Sequence, residues 1–190
     1  MPAQQSDAPT EFTSALAALR SLTIPPQLAL REIPARGSVA PFSAALSGEV
    51  HRSRQRPEIL AHGNLSVLYS PSAPEQWQSR FRIAAIARAD IDQDMAKDPF
   101  LQHVARAWIK ESLDSAQAHY LAMRGTVTIV TSETFDDDLT GELDTTLEIR
   151  ASWSPQPVTG QAVDWHLERH VESWVNLLFA TSGAPMLFVH

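Results

Sequence analysis

Two stretches of the chain alternate with a period of two, and together they constrain the fold more than any other feature. Between residues 126 and 135, Val127, Ile129, Thr131, Glu133 and Phe135 take one side, and Thr126, Thr128, Val130, Ser132 and Thr134 the other. Between 145 and 154, Leu147, Ile149, Ala151 and Trp153 oppose Thr146, Glu148, Arg150 and Ser152. Such alternation is the mark of extended backbone with one buried side. The connection Asp136–Asp144 contains Gly141 and is too long for a two-residue turn, so the pair reads as a β-hairpin with an extended tip. Pro155 and Pro157 end the pairing. A lone hairpin is marginal in water, so it must join a larger sheet with apolar cover.

The remaining segments supply that sheet and cover. Phe12, Ala15, Leu16, Leu19 and Leu22 recur at helical spacing, from an expected N-cap at Thr10 to Pro25-Pro26. Strands are expected over 27–33, 42–50, 59–69 and 81–91, with Gly63-Asn64 marking a bulge or bend in the third. In 42–50, Phe42, Ala44, Leu46, Gly48 and Val50 form the apolar side. Asp98 as cap and Pro99 as first helical residue open a central helix whose stripe is Leu101, Val104, Ala105, Trp108, Ile109 and Leu113. A last helix starts at Asp164, buries Leu167, Val171, Trp174, Val175 and Leu178, and stops at Gly183. The order is α, three or four β, α, two β, α. This is α+β: an antiparallel sheet with helices packed on one face. Residues 1–9 are expected to be disordered, and 10–190 to form one domain.

Charge separates the hairpin from everything else. Glu133, Asp136, Asp137, Asp138, Glu142, Asp144 and Glu148 lie between Gly125 and Ile149, where there is no lysine or arginine. Removing these 7 acids from the total of 22 leaves 15, which balances the 15 bases. A net charge of -7 without a basic face argues against broad nucleic-acid binding. With no cysteine there is neither a disulfide nor a thiolate ligand or nucleophile. No apolar run approaches the roughly 20 residues of a membrane helix, and Met1–Pro9 has no signal-peptide pattern, so a cytoplasmic location is expected.

Several stretches resemble an uncharacterised actinobacterial family, the domain of unknown function numbered 3000. They are Pro41–Leu46, Phe81-Arg82, Arg88-Ala89-Asp90, Asp98-Pro99, Trp108, Gly125–Thr128, Glu133–Phe135, Glu148–Pro155 and Trp174. Glu148–Pro155 is the most specific of them, and the resemblance spans nearly the whole chain after residue 10. It implies a single-domain cytosolic protein and assigns no activity and no functional residue. The element order also resembles that of type III secretion chaperones, in topology alone.

Candidate chemistry is sparse. His166 and His170 are spaced to share a helix face and could hold zinc, but no third ligand is signalled and the glutamate of a zinc-protease motif is misplaced. Asp90, Asp92, Asp94 and Asp98 begin like a calcium loop, yet Met95 and Leu101 occupy its required glycine and glutamate positions. Asp136, Asp137 and Asp138 could attract a cation or a basic partner. Arg52, Arg54 and Arg56 form a basic spot on a turn. Arg82, Arg88, Glu148 and Arg150 point away from the apolar side, and if their strands are neighbours they form a charged lattice on the open sheet face. Trp77 and Trp165 are either exposed anchors or buried at a helix end. No phosphate-binding, dinucleotide, nucleophile-elbow or zinc-protease motif is present. The expectation is a non-enzymatic interaction module without a cofactor. Arg82, Arg88, Arg150 and Asp136–Asp138 would bind a protein partner or a second copy, but neither nucleic acid nor membrane. The competing reading is a small-molecule or metal-dependent enzyme using the charged sheet face or the His166/His170 pair.

Overall fold

The computed structural model describes residues 8–35, 39–53, 57–135, 137, 141–159 and 163–186. The elements run α1 (Thr10–Ala17, continued by a 3-10 turn to Ser21), β1 (Leu28–Ile33), β2 (Phe42–His51), β3 (Ile59–Tyr69), β4 (Phe81–Ile91), α2 (Gln93–Ala96), α3 (Leu101–Ser115), β5 (Tyr120–Phe135), β6 (Gly141–Pro155), β7 (Val158–Thr159), β8 (Val163–Asp164) and α4 (Leu167–Ser182). Six strands form one antiparallel sheet in the order β1-β2-β3-β4-β6-β5; β7 and β8 make a separate two-stranded ribbon. The α+β architecture read from the sequence is the one observed.

Strand alternation sorts the two sheet faces. Ala61, Leu65, Val67 and Tyr69 of β3, Phe81, Ile83, Ala85 and Ala87 of β4, and Leu147, Ile149 and Trp153 of β6 are buried on one side. On that side α4 packs with Leu167, Val171, Trp174, Leu177 and Leu178 almost wholly enclosed, next to α3. Phe12 of α1 closes one end over the cross-strand row Phe42, Tyr69 and Phe81, with ring centroids 5.6 Å from Tyr69. Glu11 ties this end together. It accepts from the Tyr69 hydroxyl at 2.7 Å, the Arg80 guanidinium at 2.9 Å and the Trp165 indole at 3.1 Å. Burial pushes its pKa up, but these three donors outweigh it and hold the carboxyl below its ordinary value.

A glycine pair seats the last helix. Gly48 and Gly63 face each other across β2 and β3. A Cβ on Gly48 would lie 2.9 Å from Cη2 of Trp174, and one on Gly63 would lie 1.9 Å from the Ile86 carbonyl oxygen. That carbonyl accepts the Trp174 indole N–H at 3.0 Å. Gly63 is therefore neither a bulge nor a bend: the register runs through it unbroken, and the irregularity falls at Val50/His51.

Other boundaries differ for local reasons. Pro9, not Thr10, occupies the α1 cap. Asp98 accepts from Phe100 N at 2.8 Å and so turns the chain one residue before α3, leaving Pro99 outside the helix. Asp92 caps the short α2 through Met95 N at 2.7 Å. Val104, expected in the α3 stripe, is 39% exposed. The last helix begins at Leu167, while Asp164 accepts from His166 N at 2.9 Å just ahead of it. Strand pairing in the hairpin reaches Phe135↔Gly141, well into the expected connection. The expectations for residues 1–7, for Arg54 and Arg56, and for Asp136 and Asp138 lie outside the described residues.

Candidate functional site

The helices leave the second sheet face uncovered, and the register shows what stands on it. One row across the sheet is Glu49, His62, Arg88, Glu148 and Thr128; the next is Ser47, Asn64, Ile86, Arg150 and Thr126; a third is Ala45, Ser66, Ala84, Ser152 and Arg124. The floor is made of short side chains with arginines rising from it. Asn64, Ser66, Ala84, Ile86, Arg124, Thr126, Arg150 and Ser152 bound a trough of about 370 Å³.

Because β4 pairs with β6, Arg88 stands directly opposite Glu148, and Arg150 lies two residues along the same strand. Of the four residues expected to form a charged lattice, Arg88, Glu148 and Arg150 come together and Arg82 does not. Glu148 accepts from Nε of Arg88 through one oxygen and from Nε of Arg150, at 2.5 Å, through the other. Burial pushes the Glu148 carboxyl up, but the two guanidinium bonds prevail and hold it below the usual carboxylate range.

Arg82 shares the face but not that network. Its alternation points it outward, yet it is only 7% exposed. Nη1 donates to the Ala122 carbonyl at 2.8 Å and to Ser154 Oγ at 3.2 Å; Nη2 donates to Ser152 Oγ at 2.7 Å and to the Ser152 carbonyl at 3.3 Å. Every acceptor is neutral, and among the described residues no carboxylate pairs with Arg82. Burial, and then the nearby Arg124 guanidinium, push its pKa down. Arginine nonetheless keeps its charge in proteins, so an enclosed cation remains electrically unbalanced.

A bulge creates this enclosure. The β5–β6 register slips between Leu121 and Arg124, and Ala122 sits at φ 49°, a left-handed conformation worth about 1 kcal/mol of strain for a residue with a Cβ. The kink brings the Ala122 carbonyl within reach of Arg82. It also resets the register so that Arg124 faces Ser152 at the trough. Arg124 is exposed and, among the described residues, has no acidic partner. The sequence does not signal it, because the bulge breaks the alternation between Leu121 and Arg124 and the regular period of two begins only at residue 126.

The other candidates lie apart. Asp137 is exposed on the hairpin. Arg52 pairs with Glu58 at 2.7 Å. His166 precedes α4 at φ 45°, with Glu168 at 3.0 Å, so helical spacing does not govern its geometry relative to His170. His170 is 1% exposed, and its Nδ1 accepts the Trp153 indole N–H at 3.0 Å. Burial, followed by the charges of His166, His119 and Arg169, lowers its pKa from 6.5 to about 3. Among the described residues no three His, Asp or Glu side chains gather to hold a metal ion. Trp77 and Trp165 are buried, at 8% and 7% exposure. Among the described residues no helix is long and apolar enough to cross a membrane.

The fold and site define an α+β protein with one helix-covered sheet face and one open face bearing arginines. The chain belongs to the family described as "Protein of unknown function (DUF3000)", whose match covers residues 8–190. No curated protein and no solved structure matches it.

Proposed function

We propose that the chain is a non-enzymatic binding module whose open sheet face takes an acidic segment of a partner protein in the trough between Arg124 and Arg150. The observation that carries this reading is Arg82: a guanidinium enclosed among neutral acceptors, beside a second guanidinium, Arg124, that has no acidic partner among the described residues. A carboxylate laid in the trough meets Arg124 and Arg150 directly and offsets the positive charge that Arg82 adds behind Ser152. Short residues on the floor (Ser66, Ala84, Ser152) leave room for a backbone to lie flat. The family resemblance favours the cytoplasm of an actinobacterial cell as the setting. Fluorescence anisotropy with a labelled Asp/Glu-rich peptide and a neutral control tests the reading. Binding selective for the acidic peptide, weakened by salt and lost in Arg124→Glu/Arg150→Glu, supports it. Equal binding of both peptides, or undiminished binding to the double variant, overturns it.

A further inference from the structure

The two edges of the six-stranded sheet are built differently. Edge strand β1 is short, carries Arg31 and Glu32, and runs into Pro34. These are the devices by which proteins keep an exposed edge from pairing. Edge strand β5 keeps its charges, Arg124 and Glu133, and its bulge outside a long central stretch. From Gly125 to Ser132 it reads Gly-Thr-Val-Thr-Ile-Val-Thr-Ser, with no charge and no proline, rich in β-branched residues and, among the described residues, hydrogen-bonded to another strand on one side only. Val130 is 51% exposed and Phe135 68%. An open ladder of this kind is a template for another strand.

The charges flanking β5 point to what that strand is. On the open-face side, the end near the bulge carries Arg124, while Arg150 across on β6 is already held by Glu148; the distal end carries Asp144 opposite Ser132 and Glu142 opposite Thr134. Positive at one end and negative at the other, the edge is complementary to itself when turned end for end. We infer that two copies of the chain pair antiparallel through β5, with a two-fold axis at Thr128, to form one continuous twelve-stranded sheet. In that register Arg124 faces Ser132 of the second copy, whose β6 neighbour is Asp144. The two backbones are then about 10 Å apart across two strand spacings, within reach of an arginine and an aspartate. The same contact is made twice by symmetry, and the assembly closes as a dimer. Pairing β5 with β1 instead would build an open filament, and the charged, proline-ended β1 opposes it. This inference is carried by the edge and does not depend on an acidic peptide binding in the trough.

The chain's lack of cysteine makes the test clean. Sedimentation equilibrium should show a dimer of the 21.0 kDa chain at about 100 µM and low salt. Thr128→Lys sets lysine against lysine at the axis and should weaken the dimer at least about tenfold while leaving the circular dichroism spectrum and melting temperature of the monomer unchanged. Thr128→Cys should cross-link to itself under mild oxidation far faster than Glu32→Cys on the opposite edge. A monomer under these conditions, a dimer indifferent to Thr128→Lys, or equal cross-linking at the two edges overturns the inference. Peptide anisotropy is read separately on Thr128→Lys, where the second copy's Asp144 does not compete for Arg124: a Thr128→Lys chain that ignores acidic peptide refutes only the trough, and a native monomer that binds it refutes only the edge.

Discussion

His170 makes the stability of this protein depend on pH between about 6.5 and 3. The ring lies in the core, where its Nδ1 accepts from Trp153, and stays neutral to about pH 3, whereas in the unfolded chain it takes up a proton near 6.5. The native state thus refuses a proton that the unfolded state accepts. This contribution is complete above pH 6.5 and is lost as pH falls toward 3. Each pH unit in that range costs about 1.4 kcal/mol, so lowering the pH to 5 costs about 2 kcal/mol. With a urea slope of about 2 kcal/mol/M, the unfolding midpoint should fall by about 1 M. Glu11 and Glu148 have lowered pKa values, so their contributions are full above 4.5 and disappear only in stronger acid. The assay is urea unfolding at pH 8, 6.5 and 5 for the native chain and His170→Gln, whose amide can still accept from Trp153 without titrating. The difference between the two proteins should carry the pH dependence. A midpoint shift of equal size in both would refute the assignment to His170.

Gly63→Ala should destabilise by about 3 kcal/mol, since its Cβ meets the Ile86 carbonyl that the Trp174 indole needs. Gly183→Ala, at φ 65° in open space, should cost only about 1 kcal/mol, and thermal denaturation of both compares steric with conformational strain. Glu11→Ala should cost about 3 kcal/mol, because three donors lose one shared acceptor, and chemical denaturation reads it directly. Arg82→Met should cost about 2 kcal/mol by stripping the donor from the Ala122 and Ser152 carbonyls, whereas exposed Arg124→Met should change stability by less than about 0.5 kcal/mol. Equal losses in the two arginine variants would contradict their different burial.

The lattice of Arg88, Glu148 and Arg150 was legible because strand parity alone puts all three on the side away from Ile149 and Ala87. Its assembly was not, because β6 inserts between β4 and β5, and such a pairing of distant segments leaves no local trace. Arg82 shows the sharper limit. Parity assigns it to the open face correctly, but a bulge some forty residues downstream and two serines on β6 enclose it. The spacing of His166 and His170 suggested a shared ligand face; the left-handed backbone at His166 and the Trp153 indole put each ring to a different use.

Periodicity is a property of the backbone itself. Side chains repeat every two residues in a strand and every 3.6 in a helix, so the elements, their apolar sides and the α+β class could all be read from consecutive residues. Burial of a charge, the donor that reaches a carbonyl and the neighbour of each strand are set by groups far apart in the chain. Their energies exist only once the sheet has closed and water has left, which is why the unbalanced cation at Arg82 and the bare edge of β5 came to light only in three dimensions.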